Sequence, residues 1–264
     1  MRAVKAVTAA VPADLARRAE EAGLNASAPP QQALIEGWLI RLSPGKAKRS
    51  RCINALAEGS LPLIDMLARC QRAFDAAGLP LVVRITPFSQ PPDLDAQLAA
   101  LGWQAFDAAD VMVLAALPGP GRCAARLQAL DAPAYAQLVG SLRGSSALEI
   151  AAHAERLQQS PVPYQGFAMR EGDALLACGQ IAREGHMVGL YDIFTPPEQR
   201  RQGHARRLCL ELLRTAASQG AEQAYLQVGT DNVVAQQLYA MLGFQLAYRY
   251  HYRSAATLLD TASA

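Results

Sequence analysis

Arg200-Arg201-Gln202-Gly203-His204-Ala205 follows an apolar run that ends at Thr195-Pro196-Pro197, and an amphipathic run begins inside it. Ala205, Leu208, Cys209, Leu212 and Ala216 keep the i, i+3, i+4, i+7, i+11 spacing of one helix face, and Gly220 stops the helix. The hexapeptide is therefore a turn from a strand into a helix. The first N–H groups of a helix have no partner within it. They converge on one point, where the helix dipole favours an anion. Gly203 has no side chain to keep a phosphate away, and small Ala205 permits close approach. Arg200, Arg201, Arg206 and Arg207 flank the turn and suit a multiply phosphorylated ligand. On six residues alone, an ordinary turn with solvated arginines fits as well.

Upstream, 166–170, 174–183 and 187–195 are short apolar runs separated by Glu171-Gly172-Asp173 and Glu184-Gly185. They read as three antiparallel strands in a meander. Two helical patterns, 134–142 and 147–158, precede them. Downstream come a strand over 221–228, a helix over 232–242 and a closing strand over 244–253 with Tyr248, Tyr250 and Tyr252 in alternation. On the 232–242 helix, Val234, Leu238, Met241 and Leu242 form an apolar stripe expected to face the core. Asn232, Gln236 and Tyr239, at i, i+4, i+7, form a second stripe that could line a ligand groove or simply stay half-wet.

Leu117-Pro118-Gly119-Pro120-Gly121 can continue neither a helix nor a central strand, so it divides 1–117 from 123–264. The first part repeats the second in outline: strands over 38–42 and 51–56, a helix over 61–76, a strand over 81–86, a helix over 94–101 and a strand over 110–116. Its 94–103 segment, ending Leu101-Gly102-Trp103, matches 235–244, ending Leu242-Gly243-Phe244. An internal duplication is the expectation. Where a phosphate-binding turn would fall, the first part has Ala57-Glu58-Gly59-Ser60-Leu61-Pro62, with an acid and no arginine. Arg41, Lys46, Lys48, Arg49 and Arg51 crowd one stretch, as a solvated face or as a surface for an acidic substrate or partner.

Bulk properties narrow the classes. The 264 residues are 51% hydrophobic and 18% charged, enough to bury a core. A net charge of +2 argues against nucleic acid as a partner. No apolar run approaches the roughly 18 to 20 residues of a membrane span. Cys52, Cys70, Cys123, Cys178 and Cys209 are scattered without metal spacing and read as reduced thiols. Met1-Arg2-Ala3-Val4-Lys5 is read as part of the fold and not as a signal peptide, giving a cytoplasmic protein.

The turn and its surroundings resemble the GNAT superfamily of N-acetyltransferases. Arg200, Gly203 and Ala205 fit that family's Arg/Gln-x-x-Gly-x-Gly/Ala pattern. The preceding Asp192-Ile193-Phe194-Thr195-Pro196-Pro197 and the following Asn232, Leu238-Tyr239 and Leu242-Gly243-Phe244 fit as well. The resemblance covers 131–253 and is specific within 187–245. It implies an α/β fold of two GNAT-like modules with mixed, mostly antiparallel sheets flanked by helices. The N-terminal module is degenerate and shapes the acceptor cleft. It also implies acetyl-CoA as acyl donor, with Arg200, Arg201, Gln202, Gly203, His204, Ala205 and Arg206 around its pyrophosphate. Ile193, Phe194 and Thr195 would serve its pantetheine arm, with an N–H near Phe194 polarising the carbonyl. Asn232 and Gln236 would lie along the arm, and Tyr239 would act as general acid for the leaving thiolate.

A small-molecule or peptide amine would attack the thioester directly, on a monomer or homodimer that binds no nucleic acid, membrane or metal. Transfer of a longer acyl group, or a non-catalytic acyl-CoA-binding regulator, are the alternatives. The general base stays open. Alternation sets Asp192 on the face opposite Tyr191 and Ile193 unless a bulge reverses it. Glu149, Glu184, Glu198 and His186 are possible bases that fit solvated surface positions equally well, and His204 is expected to point outward.

Overall fold

The computed structural model describes residues 11–119 and 127–255. The N-terminal pentapeptide, Cys123 and the end of the proline-glycine connector lie outside them. The first half runs α1 (Ala13–Ala26), β1 (Gln32–Ile35), β2 (Trp38–Arg41), β3 (Ile53–Ala55), α2 (Leu63–Ala76), β4 (Val83–Ile85), α3 (Leu94–Ala100) and β5 (Gln104–Leu114). The second runs β6 (Leu127–Leu130), α4 (Ala132–Leu142), α5 (Ala147–Gln159), β7 (Tyr164–Glu171), β8 (Ala174–Glu184), β9 (Met187–Phe194), α6 (His204–Ser218), β10 (Gln223–Gly229), α7 (Val233–Met241) and β11 (Gln245–Ser254). The expected helices and strands are all present. The sequence reading lacks β1 and β6, both four residues long.

The eleven strands of the described residues form one sheet in the order β1-β2-β3-β4-β11-β5-β10-β9-β8-β7-β6. The halves therefore do not close separate sheets. The last strand of the first half, β5, pairs with β10 of the second. The last strand of the second half, β11, pairs with β4 of the first, and β5 and β11 pair with each other, all antiparallel. The exchanged strands β5 and β11 each follow directly on one of the two matching segments, 94–103 and 235–244.

Side chains alternate across the sheet, so each strand serves both faces. Val111 and Val113 of β5 join α1 and the tyrosines Tyr191, Tyr225, Tyr248, Tyr250 and Tyr252 in one cluster. Met112 and Leu114 join Leu208, Cys209, Leu212 and Ala216 of α6 and Tyr239 of α7 on the other side. Helices α2 and α3 cover the first half through Met66, Phe74, Leu94 and Leu98, while α4 and α5 cover the outer strands of the second half around Tyr135 and Leu157.

Candidate functional site

The parallel strands β9 and β10 pair from Met187/Gln223 to Leu190/Leu226 and then part. The parting coincides with a bulge in β9: Gln180 of β8 faces Tyr191, but Cys178 faces Phe194, so β9 carries one residue more than its partner. Asp192 takes the strain with φ 51°. The bulge reverses the alternation, because Asp192 now lines the same cavity as Tyr191 while Ile193 packs against the cluster on the α6 face. A gap between two parallel strands at their C-terminal ends, with a helix starting beside each, is a common place for ligands in α/β sheets.

That helix start is the glycine turn. Gly203 has φ 80° and Arg201 φ 60°, and the first backbone bond of α6 runs from Arg207 N–H to the Gly203 carbonyl at 3.0 Å. The N–H groups ahead of it belong to the first helical turn and have no carbonyl one turn back. A Cβ built on Gly203 would meet nothing within 4 Å, so the turn opens onto free space. Arg200 donates from Nε to the Thr195 carbonyl (3.2 Å), and Gln202 donates to the Glu198 carbonyl (3.2 Å). Arg201 and Arg206 are exposed. Thr195 Oγ1 and His204 Nε2 are shielded from solvent and have no partner. His204 therefore does not point fully outward. Open space, orphaned donors and cations together suit a polyanionic group.

Helix α7 is rotated from the expected orientation. Val234 is 80% exposed and Met241 69%, so they do not face the core. The packed face is Ala235, Leu238, Tyr239 and Leu242. Polar anchors set this rotation. Asn232 caps the helix by accepting from Ala235 N–H (3.2 Å), and Gln236 donates to the Gly229 carbonyl (3.0 Å) at the end of β10. Tyr239 is consequently buried, edge-on to Phe244 at 6.0 Å, in the same cluster as Val228 and Ile193 at the parting strands. Burial pushes its phenol above the ordinary value, which keeps it a proton donor.

On the opposite face lies a cavity of about 270 Å³ between the halves. Lys46 and Arg49 enter from the first half, with Arg143, Glu149, His153, Arg156 and Asp192 from the second. Asp192 Oδ1 accepts from Arg143 (2.6 Å) and Oδ2 from Gln180 (2.6 Å), and its carbonyl accepts from the Tyr135 hydroxyl (3.2 Å). Burial would raise the Asp192 carboxyl, but the Arg143 guanidinium and neighbouring cations hold it below the usual range. His153 Nε2 lies 3.6 Å from Asp192 Oδ2 without a hydrogen-bond partner. Burial, against the pull of Asp192, brings its pKa down to about 4, so its ring is neutral near pH 7.

Of the five candidate bases, only Asp192 and Glu149 reach this cavity. Glu184 accepts from Asn25, and His186 pairs with Glu222 at the far end of β9. Glu198 is exposed in the turn before α6. The sequence reading missed His153, Arg143 and Arg156. A signal existed: Glu149, His153 and Arg156 stand at i, i+4, i+7 on α5. Among the described residues no group of three or more His, Cys, Asp or Glu could hold a metal, and no helix is long and apolar enough to cross a membrane.

In the first half, the matching position before α2 is already filled. Ser60 donates from its N–H (3.1 Å) and hydroxyl (2.7 Å) to the Glu36 carboxylate. A Cβ on Gly59 would sit 2.8 Å from the Glu36 carbonyl oxygen.

Comparison with known proteins adds four findings. The family described as Probable histone acetyltransferase Rv0428c C-terminal matches residues 13–253. The uncharacterized N-acetyltransferase YobR of Bacillus subtilis (strain 168) is 25% identical over 228 residues, 84% of this chain and 91% of that one. In fold, the chain is similar to a GCN5-related N-acetyltransferase from Kribbella flavida (TM-score 0.63, 15% identity, 94% and 96% covered). It is also similar to a tandem GNAT protein from the clavulanic acid biosynthesis pathway (TM-score 0.57, 15% identity, 73% and 69% covered).

Proposed function

The chain belongs to the GNAT N-acetyltransferases, in the family of the Rv0428c C-terminal acetyltransferases, and from that membership we propose that it moves an acetyl group from acetyl-CoA to a primary amine held in the cavity between its halves. One observation carries the reading. The parting of β9 and β10 has the open glycine turn of α6 on one side and the Asp192 cavity on the other. The division of the chain into 1–117 and 123–264 follows, with catalysis in the second module and the first, degenerate one supplying Lys46 and Arg49 to the acceptor wall.

The roles follow from position. The N–H groups of the 203–206 turn and the exposed Arg201 and Arg206 receive the pyrophosphate, while Ile193, Phe194 and Thr195 offer backbone groups to the pantetheine arm along the unpaired end of β9. Asn232, through its amide nitrogen, and Gln236 border the same arm. The amine nitrogen attacks the thioester carbonyl carbon from the cavity side. The C–S bond breaks, and Tyr239 protonates the departing sulfur. The surplus proton on the new amide nitrogen leaves by way of the cavity, where neutral His153 or water at Asp192 receives it. Because Glu36 occupies the matching place in the first half, one chain binds one acetyl-CoA. Release of free thiol from acetyl-CoA over a panel of amines tests the reading. Tight binding of acetyl-CoA without thiol release for any amine would leave a regulatory sensor in its place.

A further inference from the structure

The cavity between the halves contains more positive than negative charge. Its two carboxylates each have a cation: Asp192 takes Arg143 at 2.6 Å, and Glu149 takes Lys46 at 3.2 Å. Two further arginines line it with no carboxylate in ion-pair contact among the described residues, although Arg156 acts on Asp192 from farther away. Arg49 donates from Nη1 to the neutral Gln227 (2.9 Å) and lies 5.6 Å from the centre of the Tyr191 ring, and its Nε is shielded from solvent with no partner. Arg156 is 9% exposed, and its Nη1 reaches only the Ala26 carbonyl at 3.4 Å and the Tyr164 hydroxyl at 3.5 Å. Behind them Arg41, also buried, donates to the Leu24 carbonyl (2.8 Å) and to Ser27 (3.0 Å), and Glu20 acts on it only from beyond ion-pair contact. A guanidinium does not shed its proton in a protein, and a buried charge without a counter-ion is costly. The free protein therefore keeps unneutralised cations at the place where the acceptor enters.

We propose that the acceptor is a small amine that carries its own anionic group, a carboxylate or phosphate received by Arg49 and Arg156. This rests on the acetyl-transfer reading above. A cavity of about 270 Å³ is on the scale of one small molecule. A basic peptide tail would bring further cations against Arg49 and Arg156, whereas an anionic amine neutralises them and leaves its nitrogen free for the Asp192 side. The transfer keeps its balance: the N–C bond forms, the C–S bond breaks, sulfur gains a proton and the amine loses one. The anion takes no part except to hold the nitrogen in place.

The test uses the full chain with acetyl-CoA and follows thiol release for amines paired with and without an anionic group. Serine is set against serinamide, phosphoethanolamine against ethanolamine, and a lysine-rich peptide serves as the basic competitor. The expected result is a kcat/KM about 10- to 100-fold higher for the anionic member of one pair, as for a charge-assisted hydrogen bond. Which pair shows it tells carboxylate from phosphate. Arg156→Met, and separately Arg49→Gln in case the first variant does not fold, should shrink that ratio mainly through KM, with a CoA titration confirming an intact protein. Equal rates within both pairs, or a preference for the basic peptide, would overturn the proposal. If no amine is acetylated, calorimetric binding of serine or phosphoethanolamine decides. Binding that Arg156→Met abolishes supports the anion site and retires the transfer reading, whereas no binding retires both.

Discussion

Burial moves the phenol of Tyr239 and the imidazole of His153 in opposite directions, and in each case it favours the neutral form. For Tyr239 this preserves a proton donor. Tyr239→Phe removes only the hydroxyl, so turnover should fall by about 10² to 10⁴ while CoA affinity changes little. Single-turnover measurements, which isolate the chemical step, would reveal an unchanged rate and end the assignment. For His153 the folded pKa of about 4 lies below the ordinary 6.5. Between those values the unfolded chain binds the extra proton, so this group's contribution is complete above pH 6.5 and is lost as pH falls through 4. His153→Gln should flatten that acid limb in denaturant melts, and an imidazole resonance titrating near 6.5 would contradict the burial argument. The sequence named Tyr239 as the proposed acid and Asp192 as one of five open candidates for the base. The orientation of Asp192 was not legible there, because one extra residue in β9 shifts every later side chain to the other face. Periodicity carries no record of such an insertion. Arg143, His153 and Arg156 stayed hidden because they matter through a cavity that exists only once the halves meet.

At the scale of elements, the turn before α6 was readable because its chemistry is local: a glycine, flanking arginines and a helix face lie within a few residues. Gly203 combines φ 80° with open space where a Cβ would project. Gly203→Val should therefore strain the turn and also fill the space offered to a phosphate. CoA affinity should drop sharply in calorimetry with the melting temperature only modestly lowered, and Gly203→Ala should fall between the two. Affinity like that of the wild type in Gly203→Val would remove the turn from the site. Helix α7 was read in the wrong rotation. Of the expected stripe Leu238 and Leu242 do pack inward, while Val234 and Met241 give way to Ala235 and Tyr239. The bonds of Asn232 and Gln236 to backbone groups decide between them, and a hydrophobic pattern does not contain that information.

At the scale of the molecule, the duplication was visible in the two Leu-Gly-aromatic helix ends, yet the exchange of their strands was not. Alternation says which residues of β5 and β11 are buried and is silent about which strand lies beside them. The exchange makes an independent first half untenable. A chain stopped at residue 119 lacks β11, the neighbour that β4 and β5 share, and should remain unfolded by circular dichroism and fail to bind acetyl-CoA. Mixing it with a 127–264 fragment should restore structure and one acetyl-CoA per pair. A folded first fragment would contradict this interlocking. The same exchange imposes a timetable on biosynthesis. β5 leaves the ribosome well before β10 and β11 have been made. At about 5 to 20 residues per second, the wait is on the order of ten seconds. During that interval the nascent chain presents strand edges that will accept any suitable neighbour. Two polysomal neighbours emerging together could each supply the other's missing β11. The resulting swapped pair would keep the same contacts as two separate molecules.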